Sequence, residues 1–376
     1  MNRWLFLDSY IEITFCHKEK KCLLYNTLDS KKYIFRNKEY EIIKKIYYRE
    51  YSIKYFENNE NKRFSDLIEN NFLGGIIESK EKPFIFYPLI NIQRNLKKFK
   101  KLSYRNEGAN ILENLFELII FINGKKRTLL HEILNLIRAA EYSSITKVNL
   151  IIENYFFLKT EINELILTIN NKLHCLMVIK IKYDEYTDLI SESTLKGIKN
   201  YSIIVIIEND NFNADIFNEK NIRFVFKIYN KIDYNHFVSN LQNKKIEYDF
   251  ELDIANCNID FLKENVFLNK ADILKMKVTK QDYDANKTLN KYFFGKLVIK
   301  NNKIYNRETK GKLITKLDEN KELKEIVFDA LINSNKWFLI RDRVKPCKTC
   351  VFKYICPPIS DYEIKASRYN FCNIIN

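Results

Sequence analysis

At 376 residues the chain is too long for one minimal core and divides into two or three units. Its apolar and charged fractions, 46% and 30%, are those of an ordinary globular protein, and no stretch approaches the ~18 apolar residues of a membrane span. A formal charge of +15 favours acidic partners. However, the chain has no helix-turn-helix recognition helix, no aromatic strand pair of RNA-binding type and no long Lys/Arg run, so nucleic acid is not the expected partner. Part of the basicity reflects a chain dense in Lys, Asn, Ile, Phe and Tyr, the residues an AT-rich genome over-produces. The opening MNRWLFLDSYIEITF lacks a signal peptide, because Asp8 and Glu12 interrupt its apolar run. A cytosolic location is therefore expected, where clustered thiols bind metal more readily than they form disulfides.

Residues 1–93 read as a small unit. Apolar segments Ile11–Phe15, Cys22–Tyr25 and Lys32–Phe35 alternate and are broken by the turn-like HKEKK and NTLDSKK, Lys18–Lys21 falling in the first turn. A helical pattern follows over Glu39–Tyr48, with Ile42, Ile43 and Ile46 on one face. Strands followed by helices suggest a winged-helix-like module. The polar, basic segment Arg94–Asn110 marks a boundary.

Residues 111–275 change rhythm. Leu115–Ile122, Val148–Ile152, Cys175–Lys182, Ser202–Ile207, Phe224–Tyr229 and Tyr248–Ile254 read as strands. Helical patterns fall between them over Leu129–Ala140, Glu161–Asn171, Tyr186–Ile198 and Tyr234–Asn243. Apolar runs rich in Ile and Val suggest strands buried on both faces, and alternating β and α elements imply a parallel sheet. Periodicity leaves both an open doubly wound sheet and a partial barrel in play.

Residues 276–376 form the third part. Phe293–Asn306 reads as a hairpin turning at Asn301–Asn302, and Leu323–Ser334 reads as a helix. Then Cys347, Cys350, Cys356 and Cys372 place four of the chain's eight cysteines within its last thirty residues. The spacing is C-x2-C-x5-C, fifteen residues, C. A C-x2-C pair brings two thiolates to one metal from a single turn, and the others arrive from adjoining loops. Four thiolates suit tetrahedral zinc and an iron–sulfur cube equally well in number. Pro346, Pro357 and Pro358, three of only five prolines, sit in or beside the segment.

This block resembles the C-terminal SPASM extension of radical S-adenosylmethionine (SAM) enzymes that modify ribosomal peptides. There the block runs C-x2-C-x5-C-x3-C, follows a cysteine-bearing hairpin and is closed by one last Cys. The resemblance implies that Cys347, Cys350, Cys356 and Cys372 ligate one auxiliary [4Fe–4S] cluster. Ser360 stands where the x3 Cys of a further cluster belongs, and the hairpin has no Cys (Asn306 lies near where one occurs), so that further cluster is expected to be absent. Radical SAM cores are partial (β/α)6 barrels whose activating cluster uses C-x3-C-x2-C after the first strand. Here FELIIFIN is followed by GKKRTLLHEIL, with no cysteine, and Cys16, Cys22, Cys175 and Cys257 are too dispersed to replace it. The start, WLFLDSYIEITF…LLYNTLDSKKYIF, resembles the pseudo-radical-SAM proteins of Bacteroidales-type peptide maturation systems. The end, CPPISDYE…RYNFC, resembles SPASM proteins that accompany ATP-grasp peptide ligases.

The resemblance implies an α/β chain: a winged-helix-like peptide-recognition unit (1–93), a degenerate (β/α)6 partial TIM barrel (111–275) and a SPASM-type iron–sulfur domain (276–376). The expected function is that of a non-catalytic partner or scaffold in ribosomal peptide maturation. It would bind a precursor leader peptide and serve a radical SAM or ATP-grasp enzyme. A redox-active peptide-modifying enzyme and a zinc-binding adaptor are the alternatives. His17, His131, His174 and His236 sit in unrelated contexts, although His131 lies just after the first strand. Lys125–Lys126–Arg127 reads as a solvated charge run, Cys175 and Cys257 as core residues, and Trp337–Phe338 as an apolar pad shielding the cysteine site.

Overall fold

The computed structural model describes residues 2–48, 52–54, 59–81, 108–123, 130–153, 155–190, 195, 197–208, 221–241, 247–253, 259–308, 311–319, 321–333 and 336–374. The Lys125–Lys126–Arg127 run, Cys257 and most of the Arg94–Asn110 segment lie outside them.

The N-terminal unit opens with four strands, β1 (Asn2–Leu7), β2 (Ile11–Cys16), β3 (Lys21–Asn26) and β4 (Lys32–Arg36). Helix α1 (Asn37–Tyr48), β5 (Ser52–Lys54), α2 (Asn59–Asn70) and β6 (Gly74–Ser79) follow. The three anticipated strands form one antiparallel sheet, β2-β3-β4, and Lys18–Lys20 lies in its first turn. A second sheet, β5-β1-β6, enlarges the unit beyond a few strands followed by helices. Only glycine fits at position 74, since a Cβ there would sit 2.0 Å from the Phe6 carbonyl oxygen. Ile43 and Ile46 of α1 are fully buried against Leu5, Leu24, Phe35 and Phe64. Alternation along β3 sends Cys22 and Leu24 into this core and Leu23 and Tyr25 to the opposite side.

The central sheet has nine strands in the order β12-β11-β10-β9-β8-β7-β13-β14-β15. Six of them, β7 (Glu117–Asn123), β8 (Lys147–Glu153), β9 (Leu176–Lys182), β10 (Tyr201–Ile207), β11 (Ile222–Ile228) and β12 (Tyr248–Leu252), are parallel and spatially consecutive. A doubly wound sheet reverses its strand order at a switch point; this run of six does not reverse. Helices α3 (Leu130–Ala139), α4 (Lys159–Lys172), α5 (Tyr183–Ile190) and α6 (Lys231–Leu241) connect them. Ile133, Ile137, Ile166, Tyr186 and Phe237 pack on one face of the sheet, against Leu118, Ile120, Leu150, Ile179 and Phe226. Full burial of each such side chain contributes about 1.5–3 kcal/mol.

The expectation of burial on both faces needs correction. The face away from the helices carries Glu117, Lys147, Lys180, Lys182, Glu208 and Lys227, mostly half-buried. Ion pairs Lys296–Glu117 at 2.6 Å and Lys182–Glu208 at 3.0 Å run across it. Ile and Val occupy enough of the alternate positions to disguise the alternation.

Three short helices, α7 (Ile259–Asn265), α8 (Lys270–Lys275) and α9 (Lys280–Thr288), lead to β13 (Lys296–Lys300), β14 (Lys303–Tyr305) and β15 (Leu313–Lys316). The hairpin turns at Asn301 and Asn302, both at positive φ (51° and 59°), the conformation a two-residue hairpin turn requires. Its first strand also lies parallel to β7 and so extends the central sheet. Gly295 makes this junction possible: at φ 73° its carbonyl accepts from Phe116 N and Glu117 N, and a Cβ would collide with Phe116. Helix α10 (Leu323–Asn333) and the short α11 (Asp361–Lys365) complete the chain. Among the described residues no helix is long and apolar enough to cross a membrane.

Candidate metal centre

The thiols are positioned by turns rather than by long elements. Cys347–Thr349 is a single 3-10 turn in which Cys350 N donates to Cys347 O at 2.9 Å, setting the two thiols of the C-x2-C pair on one bend. A second turn brings Cys356 back, with Cys356 N donating to Phe352 O at 3.0 Å. Phe352 N donates to Cys350 Sγ at 3.4 Å. Cys372 arrives on an isolated parallel bridge to Leu268, whose N donates to Phe371 O and whose carbonyl accepts from Asn373 N. The segment before α8 thus fixes the last cysteine.

All four cysteines line one cavity, walled by Leu268, Ile273, Phe371 and Ile374 and approached by Arg341 and Lys353. These aliphatic and aromatic residues provide the apolar shielding expected of Trp337 and Phe338. Those two pack elsewhere, against Phe294, with Trp337 Nε1 donating to Lys296 O at 3.2 Å.

Arg341 organises the centre, and spacing gave no hint of it. Its Nη1 and Nη2 pair with the Glu363 carboxylate at 3.0 and 3.2 Å, and Nε donates to Pro357 O at 2.6 Å. Nη1 also donates to Tyr369 O at 3.0 Å and lies 3.6 Å from Cys347 Sγ. One guanidinium therefore ties the start, middle and end of the cysteine segment together. Burial works against its charge, but the Glu363 carboxylate holds it protonated. Glu363 in turn belongs to a capping box. Ser360 Oγ accepts from Glu363 N at 3.3 Å while Glu363 Oε2 accepts from Ser360 N at 3.0 Å. Ser360 thus caps α11 at the position where the SPASM pattern has cysteine. Asn306 closes the loop after β14 by accepting from Lys312 N at 2.9 Å.

Burial pushes the thiols of Cys350 and Cys356 up, the former to about 11; it also raises Cys347, where Arg341 acts in the opposite direction. Metal binding reverses this, since ligands must be thiolates. Among the described residues, no three Cys, His, Asp or Glu side chains converge as a single ion requires. Tetrahedral zinc, with Zn–S of ~2.3 Å, holds its sulfurs within about 3.8 Å of one another, whereas a cluster gives each thiolate its own iron and spreads them further.

The remaining candidates lie apart from the cavity. His17, His131, His174 and His236 are exposed; His17 Nδ1 bonds Tyr40 OH at 2.7 Å and His131 lies on the outer face of α3. Cys175 is a buried core residue, its thiol raised by burial to about 11.

The cysteine segment also carries the N-terminal unit. Val351, Phe352 and Ile355 pack on Cys16, Leu23 and Tyr25 of the β2–β3 hairpin. Tyr25 OH exchanges hydrogen bonds with both N and O of Val278 at 2.7 Å, and Thr14 Oγ1 meets Tyr283 OH at 2.5 Å. Glu12, buried, pairs with Lys287.

No family model and no curated protein matches the sequence. Two solved structures do. The crystal structure of SuiB from Streptococcus suis matches at 10% identity with a TM-score of 0.41, covering 98% of this chain and 100% of that one. SuiB bound to S-adenosylmethionine matches at 12% identity with a TM-score of 0.41, covering 93% and 94%. A likeness at this level assigns neither activity nor ligand to the present chain.

Proposed function

We propose that the chain is a pseudo-radical-SAM protein with a SPASM-type C-terminal domain, a non-catalytic partner or scaffold in the maturation of a ribosomal peptide. The observation that carries this reading is the gathering of Cys347, Cys350, Cys356 and Cys372 around one cavity, while the GKKRTLLHEIL segment directly after β7 contains no cysteine. Six consecutive parallel strands with helices on one face suit a partial barrel.

Four thiolate ligands leave no open iron, so the group's contribution is structural. Arg341 and the Phe352 amide face its sulfur ligands with N–H donors, and the apolar wall excludes water. The N-terminal unit offers the outer strand β4, to which an extended leader peptide adds by backbone pairing, and the net positive charge favours acidic leaders.

Anaerobic purification with iron and sulfide analysis tests the reading. A brown protein with about four irons is expected; a colourless one with a single zinc sinks the cluster and favours the adaptor. Incubation with SAM and reductant should yield no 5′-deoxyadenosine. Conversion of a precursor peptide by the isolated chain would identify a redox enzyme instead. Cys350→Ser should lose the metal and weaken binding of a labelled acidic leader peptide.

A further inference from the structure

The polar face of the central sheet lines a second cavity, of about 180 Å³, that shares no residue with the thiol site. It begins at the first residues of β7, β8 and β13 and is walled by Tyr292, Phe293 and residues following β14. Ligands of parallel sheets ordinarily sit beyond the carboxyl ends of the strands. This cavity extends from the opposite end.

Its charges do not cancel. Glu117 is paired with Lys296 at 2.6 Å and accepts from Asn149 Nδ2 at 2.5 Å. Lys147, Lys180 and Arg307 then stand against Glu308 and Asp361, an excess of one positive charge. Arg307 is 4% exposed and lies 5.9 Å from the centre of the Phe293 ring, a fixed position for a planar donor. Burial lowers the pKa of both Arg307 and Lys147, the penalty that a bound anion relieves. A guanidinium presents paired N–H groups to a carboxylate. Beside these cations lie Ile119, Ile151 and Val298, an apolar strip that an inorganic anion cannot use.

We propose that this cavity binds a small organic carboxylate, its carboxylate held by Arg307, Lys147 and Lys180 and its hydrocarbon body lying on Ile119, Ile151 and Val298. The site is independent of the function proposed above, since it uses no cysteine and no metal.

Calorimetric titration of the full chain with sodium benzoate and sodium hexanoate, paired with thermal unfolding at fixed ionic strength, tests it. A saturable heat and a rise in Tm of about 2 °C are expected for at least one of the two. Benzamide, which lacks the charge, should produce neither. Lys180→Gln and Lys147→Gln alter half-buried side chains outside the apolar core and should weaken binding at least tenfold. Arg307→Met should abolish it. The proposal is overturned if neither acid moves Tm more than sodium chloride does, or if both lysine variants bind as tightly as the unsubstituted chain. Inorganic phosphate binding as tightly as the acids overturns it as well, because the apolar strip would then contribute nothing.

Discussion

The central sheet and the cysteine segment are held by opposite means. In the sheet, dozens of Ile, Val, Leu and Phe contacts repeat from strand to strand, so no single residue is indispensable. In the cysteine segment, short turns carry little regular hydrogen bonding, and a few buried polar groups join distant parts of it. Arg341, Glu363 and Asn290 bridge residues 20 to 70 positions apart. Apolar packing is non-directional and shares losses among neighbours. A buried polar network is directional, so losing one member strands the others.

The sharpest test is Arg341→Met, which leaves the Glu363 carboxylate buried without its partner. It should cost about 3–5 kcal/mol, read from urea unfolding followed by Trp337 fluorescence. Next comes Asn290→Ala. Asn290 Nδ2 donates to Leu339 O and Ile359 O, both at 2.9 Å, and removing it leaves buried carbonyls unserved at a cost of about 1–3 kcal/mol in the same assay. Tyr25→Phe removes the link to Val278 and should cost about 1 kcal/mol while raising proteolytic susceptibility of the β2–β3 hairpin. Ile179→Val, at a fully buried point of β9, should cost about 1 kcal/mol or less. If Ile179→Val proves costlier than Arg341→Met, the contrast between the two regions is wrong.

The smallest effect concerns pH. Burial raises the Glu12 carboxyl above its usual 4.5, with Lys287 pulling it back. The folded chain therefore binds this proton more tightly than the unfolded one. Its contribution to stability is complete below the unfolded value and declines as pH rises from there through the folded value. The stability of the unsubstituted chain relative to Glu12→Gln should fall across that window, and a flat difference would show that Lys287 fully offsets the burial.

Much of the fold was legible in the sequence because its signals are local. The six parallel strands announce themselves as Ile/Val runs, the Asn301–Asn302 turn as a pair of residues tolerant of positive φ, and α10 as a helical stripe. The four C-terminal cysteines stood out by their spacing, and all four line one cavity. Strand β1 was not read, since NRWLFL precedes any turn signal and its partners, β5 and β6, lie some fifty to seventy residues away. The polar face of the sheet was hidden because Ile119, Ile151, Val178 and Val225 fill many of its positions.

By itself the sequence determined the succession of the central strands and the α/β class, since these follow from periodicity within short stretches of chain. Only the tertiary structure decided the strand order, the entry of β13 beside β7, the role of Arg341 and the seating of the N-terminal hairpin on the cysteine turns. Each of these is a contact between residues far apart in the chain. Its free energy exists only once folding has brought both partners out of water and into the same place.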